Sequence, residues 1–156
     1  MVVYFLRHAD AESGTGNDAK RKLTAKGLEQ AEKVGRFLVA YGLLPEAIFT
    51  SPLVRAEQTA KLVAKKLGQD EIVVAPWLAS GMSPGTCLEE LHSSTGLGSL
   101  LLVGHEPDFS RTIATLLGDI QPQALHVRKA SLTAIDLREL KPGGGRLQFL
   151  VPSRLM

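Results

Sequence analysis

Met1-Val2-Val3-Tyr4-Phe5-Leu6-Arg7-His8 opens the chain, and the break at its end decides the fold. The six apolar residues are rich in β-formers and read as a buried strand. A guanidinium and an imidazole follow at once, so the strand delivers two polar groups to one edge of a sheet. In open α/β folds, ligands bind just beyond the carboxyl ends of the strands. The pattern recurs in Ser99-Leu100-Leu101-Leu102-Val103-Gly104, a second buried run that ends in His105. Between the two, Ser51-Pro52 follows another short strand, and Arg55 lies one helical turn further on. Two imidazoles and two guanidiniums at the same end of three strands suit an oxyanion, above all a phosphoryl group.

Strand and helix patterns alternate along the rest of the chain. A loop runs from Asp10 to Asp18, and Thr24 is the expected N-cap of a helix reaching about residue 41. Leu28, Ala31, Val34, Phe37 and Leu38 recur there at helical spacing, and Gly42 suits the helix end. Residues 47–50 read as a strand. Ser51 then serves as N-cap and Pro52 as first residue of a helix to about residue 67. A strand at 72–74, a Pro/Gly/Ser-rich loop at 75–86 and a short helix at 86–95 come next. After the 99–103 strand, Pro107 opens a helix that ends at Gly118. Two last strands, 130–137 and 146–151, are joined as a hairpin by the turn at 141–145. This order predicts an α/β fold: a three-layer α/β/α sandwich with a mostly parallel central sheet and a C-terminal antiparallel hairpin. With no internal repeat or linker, residues 1–156 read as a single domain.

Composition narrows the function classes. The 156 residues are 44% apolar and 22% charged, as expected of a globular chain. A net charge of +2, with no basic run longer than Lys20-Arg21-Lys22, speaks against a nucleic-acid or membrane surface. Cys87 is the only cysteine, so no intramolecular disulfide forms and a cysteine-based structural zinc site is not expected. No apolar stretch approaches the roughly 20 residues that span a bilayer. The N-terminus enters the first strand without a basic leader, which predicts a cytoplasmic protein.

A lone histidine at a strand end commonly does no more than bond to backbone. Arg7 beside His8 changes that reading, because a buried arginine needs an anion to meet. An imidazole attacks phosphorus only with one ring nitrogen unprotonated and aimed, the other being held by a hydrogen bond. Fixed cations must also surround the non-bridging oxygens, where transition-state charge sits. Arg55, early in a helix and near free backbone N–H groups, meets that need. The bland alternative pairs it with Glu57. His105 follows Gly104, whose missing side chain permits close backbone approach.

Together Leu6-Arg7-His8-Ala9, Ser51-Pro52-Leu53-Val54-Arg55-Ala56-Glu57-Gln58-Thr59 and Val103-Gly104-His105 resemble the histidine phosphatase superfamily, also called phosphoglycerate mutase-like. The short length resembles its compact branch, the SixA-type phosphohistidine phosphatases. The likeness extends from residue 1 to about 118, and the Ser51–Thr59 stretch is its most specific part. The resemblance implies a hydrolase in which His8 accepts the phosphoryl group and Arg7, Arg55 and His105 complete the pocket. Arg21 resembles a further phosphate-facing arginine of that branch, although Lys22 replaces the usual proline after it. Ala9 replaces the glycine of Arg-His-Gly, and its methyl is expected to tighten the approach to phosphate. The general acid is open: Asp10, Asp18, Glu89 and Glu90 are candidates, or none is used.

An imidazole leaving group needs less acid help than an alkoxide, so the missing obvious acid favours a phosphohistidine substrate. Residues 73–98 hold no insertion long enough for a lid, which leaves room for a protein surface. The expected partner is therefore a phosphorylated protein, such as a histidine-phosphotransfer domain, with no cofactor; the oligomeric state stays open. A small-molecule phosphatase or mutase of the same superfamily is the nearest rival. A metallohydrolase would draw on His8, Asp10, His105, Asp108 and His126, but Arg7 and Arg55 would crowd its cation with like charge. A cysteine-dependent phosphatase fails because the position six after Cys87 is Ser93, and no phosphate-binding P-loop motif is present. A module that binds phosphate without turnover would need neither histidine. His92, His126, Trp77 and Met82 are expected to be structural.

Overall fold

The opening run forms β1 (Val2–Arg7) in the computed structural model, which describes residues 1–14, 16–118 and 120–156. β1 lies inside a six-stranded sheet with β2 (Ala47–Thr50), β3 (Val73–Val74), β4 (Ser99–Gly104), β5 (Leu132–Leu137) and β6 (Gly145–Val151). The order across the sheet is β3-β2-β4-β1-β5-β6. β1 to β4 pair in parallel, whereas β5 runs antiparallel to both β1 and β6. The expected mostly parallel sheet with a closing antiparallel hairpin is therefore what forms.

Four helices cover the faces: α1 (Ala25–Ala40), α2 (Val54–Leu67), α3 (Pro84–His92) and α4 (Asp108–Leu116). α1 and α2 bury Ala31, Val34, Leu38, Ala56, Ala60 and Val63 against one face, with Leu6, Leu101 and Val103 beneath them. α3 and α4 bury Cys87, Leu91, Phe109, Ile113 and Leu116 against the other, with Phe5, Leu100 and Leu102 beneath. Consecutive residues of β1 and β4 thus feed opposite cores, which is why both strands read as unbroken apolar runs. Trp77 and Met82 join the second core, as expected of structural residues.

Thr24 caps α1 as predicted, its Oγ1 accepting from Gly27 N at 3.1 Å. Leu28 does not face the core; it is 44% exposed. Gly27 turns inward instead, and a Cβ there would lie 1.9 Å from the Asp10 carbonyl oxygen. α1 and the loop after β1 can pack only because position 27 has no side chain.

The start of α2 departs from the sequence reading. The helix begins at Val54 with Leu53 as its N-cap, and no side chain caps it. Ser51 lies two positions before that cap, and its hydroxyl accepts from Leu53 N at 3.3 Å while also bonding His105 at 2.7 Å. α2 still ends as expected, at Gly68 in the left-handed conformation with φ of 68°.

Register carries the site. Arg7 pairs with Gly104 and Thr50 with Val103, so His8, Ser51 and His105 leave three neighbouring strands at nearly the same height. At Gly104 a Cβ would stand 2.6 Å from the Phe109 ring, so the missing side chain admits an aromatic ring rather than another stretch of backbone. Gly104→Ala is expected to lower stability by about 1–3 kcal/mol through overpacking against Phe109. A urea midpoint equal to that of the parent protein would contradict it.

Candidate active site

His8 and His105 face each other with ring centroids 5.2 Å apart. Both are buried, at 7% and 2% exposure. His8 Nδ1 lies 2.8 Å from the Ala9 carbonyl oxygen, which can only accept, so Nδ1 carries the proton. Nε2 is then the lone-pair nitrogen, and Arg55 Nε–H donates to it at 3.2 Å. Two contacts therefore fix both the tautomer and the direction of the ring. Burial, opposed by the Ala9 carbonyl and reinforced by Arg55, Arg7 and Lys129, pushes the His8 imidazole down to about 4.

His105 is held differently. Ser51 Oγ, which accepts from Leu53 N at 3.3 Å, also bonds His105 Nε2 at 2.7 Å. His105 Nδ1 is buried and has no hydrogen-bond partner among the described residues. Burial, with His8 and Arg55 next, pushes His105 down to about 3. At neutral pH both rings are uncharged.

Arg55 is 3% exposed, and each of its three guanidinium nitrogens makes a hydrogen bond. Besides Nε on His8, its NH1 donates to the Asp18 carbonyl at 2.8 Å and its NH2 to the Asp18 carboxylate at 3.1 Å. The alternative pairing with Glu57 does not occur; Glu57 bonds Lys61 on the helix surface. Arg21 meets the other oxygen of Asp18, with NH2 at 2.7 Å and Nε at 2.8 Å, while its NH1 donates to the Glu12 carbonyl. Arg21 is thus brought to the pocket edge through a carboxylate it shares with Arg55. Arg7 NH1 donates to the Val127 carbonyl at 2.9 Å, and its Nε is buried without a partner among the described residues. Arg7, His8, Arg55 and His105 do come together, with Arg21 one carboxylate away.

The Ser51–Thr59 stretch is specific because its polar residues reach different parts of this site. Ser51 holds His105, and Arg55 holds His8. Gln58 accepts from Leu23 N at 2.8 Å and so fixes the segment after Arg21. Thr59 accepts from Ala9 N at 3.1 Å while donating to the Arg55 carbonyl at 2.7 Å. Ala9 itself is fully buried in the core under α1 and α2. Its methyl does not narrow the pocket, contrary to the expectation from sequence, because the chain turns the side chain away from the two rings into that core.

The carboxyl candidates separate clearly. The hydrogen bond from Arg21 holds Asp18 below the usual carboxylate range, and that from Lys129 does the same for Asp10. Both are anionic at neutral pH. Glu89 and Glu90 lie exposed on α3. Sequence reasoning missed Glu106, beside His105, whose half-buried carboxyl is pushed up by burial while Oε1 accepts from Ser110 N. It also missed the structural part of Ser51. The only signals for either were their adjacency to His105 and to Pro52.

Asp10 is bound to Thr24 and Lys129, so it does not join the two imidazoles in a ligand set. Among the described residues, no three His, Cys, Asp or Glu side chains stand close enough to hold a metal ion. Cys87 is fully buried and its thiol is pushed up to about 12 by burial, which leaves it inert as a nucleophile.

Comparison with known proteins agrees with this geometry. Residues 3–79 match the profile of the histidine phosphatase superfamily (branch 1). An uncharacterised protein of Picosynechococcus sp. is 31% identical over 95% of this chain and 89% of its own length. The phosphohistidine phosphatase SixA of Escherichia coli is 29% identical over 85% of both chains. The solved structure of the protein histidine phosphatase SixA with tungstate superposes with a TM-score of 0.90 over 99% of each chain, at 25% identity. Among the described residues, no helix is long and apolar enough to cross a membrane. With its strand-end histidines, its Ser51–Thr59 stretch and a fold shared end to end with that structure, the chain belongs to the histidine phosphatase superfamily, in its SixA-type branch, and is a phosphatase.

Proposed function

We propose that the protein removes the phosphoryl group from phosphohistidine of a protein, through a covalent intermediate on His8. The observation that carries this is the state of the His8 ring: neutral, protonated on Nδ1, with the Nε2 lone pair held in place by Arg55. In the first step Nε2 of His8 attacks phosphorus and the bond to the substrate imidazole breaks. The departing ring nitrogen takes a proton from water or at the pocket edge. In the second step water cleaves the phosphorus–nitrogen bond on His8, releasing inorganic phosphate and restoring the free ring.

The buried and unpartnered Arg7 Nε–H supports binding of an anion, since it costs stability until a partner accepts from it. Tungstate, held by a SixA relative, is a tetrahedral oxyanion of the same kind. Asp10 and Asp18, both anionic, are poor proton donors to an alkoxide, which favours the easier imidazole leaving group. The pairing of Arg21 with Asp18, which also holds Arg55, supports a substrate-binding part for Arg21, and a cytoplasmic location goes with this reading.

His8→Ala is expected to abolish phosphate release from a phosphohistidine peptide, and acid-labile label should be trapped on the parent protein but not on this variant. Normal turnover by the variant would remove the nucleophile assignment. A panel that adds phosphoserine, phosphotyrosine and sugar phosphates decides the substrate: faster hydrolysis of a sugar phosphate would favour the small-molecule phosphatase or mutase instead. Arg55→Ala should slow kcat/KM by ~10²–10³-fold, the scale of losing one preorganised donor. Turnover should persist in excess chelator; loss that added metal restores would revive the metallohydrolase.

The two histidines also set a pH response. Each is driven to about 4 or 3 in the fold, against about 6.5 in the unfolded chain. Between those values the unfolded chain binds more protons, so stability is complete above about 6.5 and falls as pH drops toward 3. The acid limb of kcat/KM should accordingly lie near 4 rather than near 6.5. A limb near 6.5, or flat stability from pH 7 to 4, would contradict the burial of these rings.

A further inference from the structure

Beside the phosphoryl pocket runs a groove of about 340 Å³ whose walls include Arg7, Asp10, Lys26, Arg128, Lys129 and Arg154. Five cations face one carboxylate there, a local excess larger than the +2 of the whole chain. The carboxylate is already occupied: Asp10 bonds Lys129 and Thr24. Lys26, Arg128 and Arg154 are exposed, and none has a described carboxylate within salt-bridge distance. These three come from the first turn of α1, the run before β5 and the C-terminal 3-10 turn, so packing of distant segments gathers them. Like charges held together without partners repel one another, and an anionic ligand would relieve that repulsion.

Arg7 ties the groove to the chemistry, because it forms part of the wall and is the residue before His8. An anion seated along Lys26, Arg128 and Arg154 would lie beside a phosphoryl group on His8. Each exposed cation contributes weakly by itself, so the ligand that gains most is one with several negative charges spread along its length. Nucleic acid also has that property, but among the groove's walls there is no Phe, Tyr or Trp on which a base could stack. We propose that this groove binds an acidic segment flanking the phosphorylated residue of the protein substrate. The proposal rests on the reading that the phosphoryl group arrives on a protein. His126, read from sequence as structural, is an exposed member of the same wall and would donate to the segment.

Two measurements separate this proposal from the reading beneath it. The first needs no turnover: a fluorescent twelve-residue peptide rich in Asp and Glu, without phosphate, is titrated into the protein at low salt. Binding that weakens at least tenfold in the double variant Lys26→Glu with Arg154→Glu, and that weakens with added salt, supports the groove. No binding, or equal binding by parent and variant, overturns it. A single-stranded oligonucleotide of equal length serves as competitor, and tighter binding of it by the same residues would overturn the choice of a protein segment. The second measurement compares KM for phosphohistidine peptides with acidic and with neutral flanks. The parent should favour the acidic flank by about tenfold, and the double variant should lose that preference; equal KM values in the parent overturn the proposal even when both peptides are hydrolysed. If neither peptide is hydrolysed, the phosphohistidine reading fails, and the unphosphorylated peptide still decides whether the groove binds acidic chains.

Discussion

The hydrogen bond from Arg55 Nε to His8 Nε2 is the contact on which the rest of the site depends. It is a demanding contact to build. A guanidinium that is 3% exposed has lost its water, and donating to a neutral ring nitrogen returns less than donating to a carboxylate. The remaining N–H groups of Arg55 must therefore be satisfied elsewhere, and Asp18 does this with both its carbonyl and its carboxylate. Asp18 is exposed, so this counter-charge sits at the solvent edge rather than beneath the pocket. The outcome is a cation fixed in direction yet still short of neutralising partners on the side of the imidazoles.

From that constraint the arrangement of the Ser51–Thr59 stretch follows. Arg55 reaches His8 only if α2 begins close to the end of β2, and this requires the chain to turn within Ser51-Pro52-Leu53. The turn leaves the Ser51 hydroxyl beside the end of β4, where it holds the His105 ring through Nε2. One turn further on, Thr59 lies beneath Arg55 and receives the Ala9 amide. One short helix start thus orders the ends of β1 and β4 together. The two rings are pinned by neighbours on α2 and β2 rather than by each other.

The strand ends were readable because an apolar run that stops at Arg-His or Gly-His leaves a polar group no place in the core. Parallel pairing then brings those ends to one height, and periodicity already implied parallel pairing. The start of α2 was misread for a reason that is physical rather than accidental. Ser-Pro is a strong local signal for a cap, but here Ser51 Oγ accepts from Leu53 N ahead of the helix while also bonding a buried histidine, and the helix begins only at Val54. The Asp18 bridge was beyond local reading, since Arg55 and Asp18 stand 37 positions apart and the carboxylate lies on a single 3-10 turn, Asp18–Lys20, inside a longer connection. Leu28 shows the same limit in the core: its spacing fits the buried stripe, yet close approach of the Asp10 carbonyl selects Gly27 for the inward position.

Burial first, and charge after it, explains why a pocket with so many cations keeps neutral histidines. Each ring, once protonated, would be a cation stripped of water, and Arg55 and Arg7 would add like-charge repulsion. The guanidiniums cannot shed their protons, so that repulsion adds to the cost of burial on the rings. The same positive field also favours an incoming dianion, and an uncharged nucleophile meets it without mutual repulsion. Lowering the basicity of His8 makes its nitrogen a weaker nucleophile in principle. Near neutrality that loss is offset, because essentially every molecule already has the unprotonated ring that attack on phosphorus requires. Asp18 holds Arg55 and Arg21 together at the rim, and its own charge offsets part of that field, so the cations stay fixed in place without the rings regaining a proton.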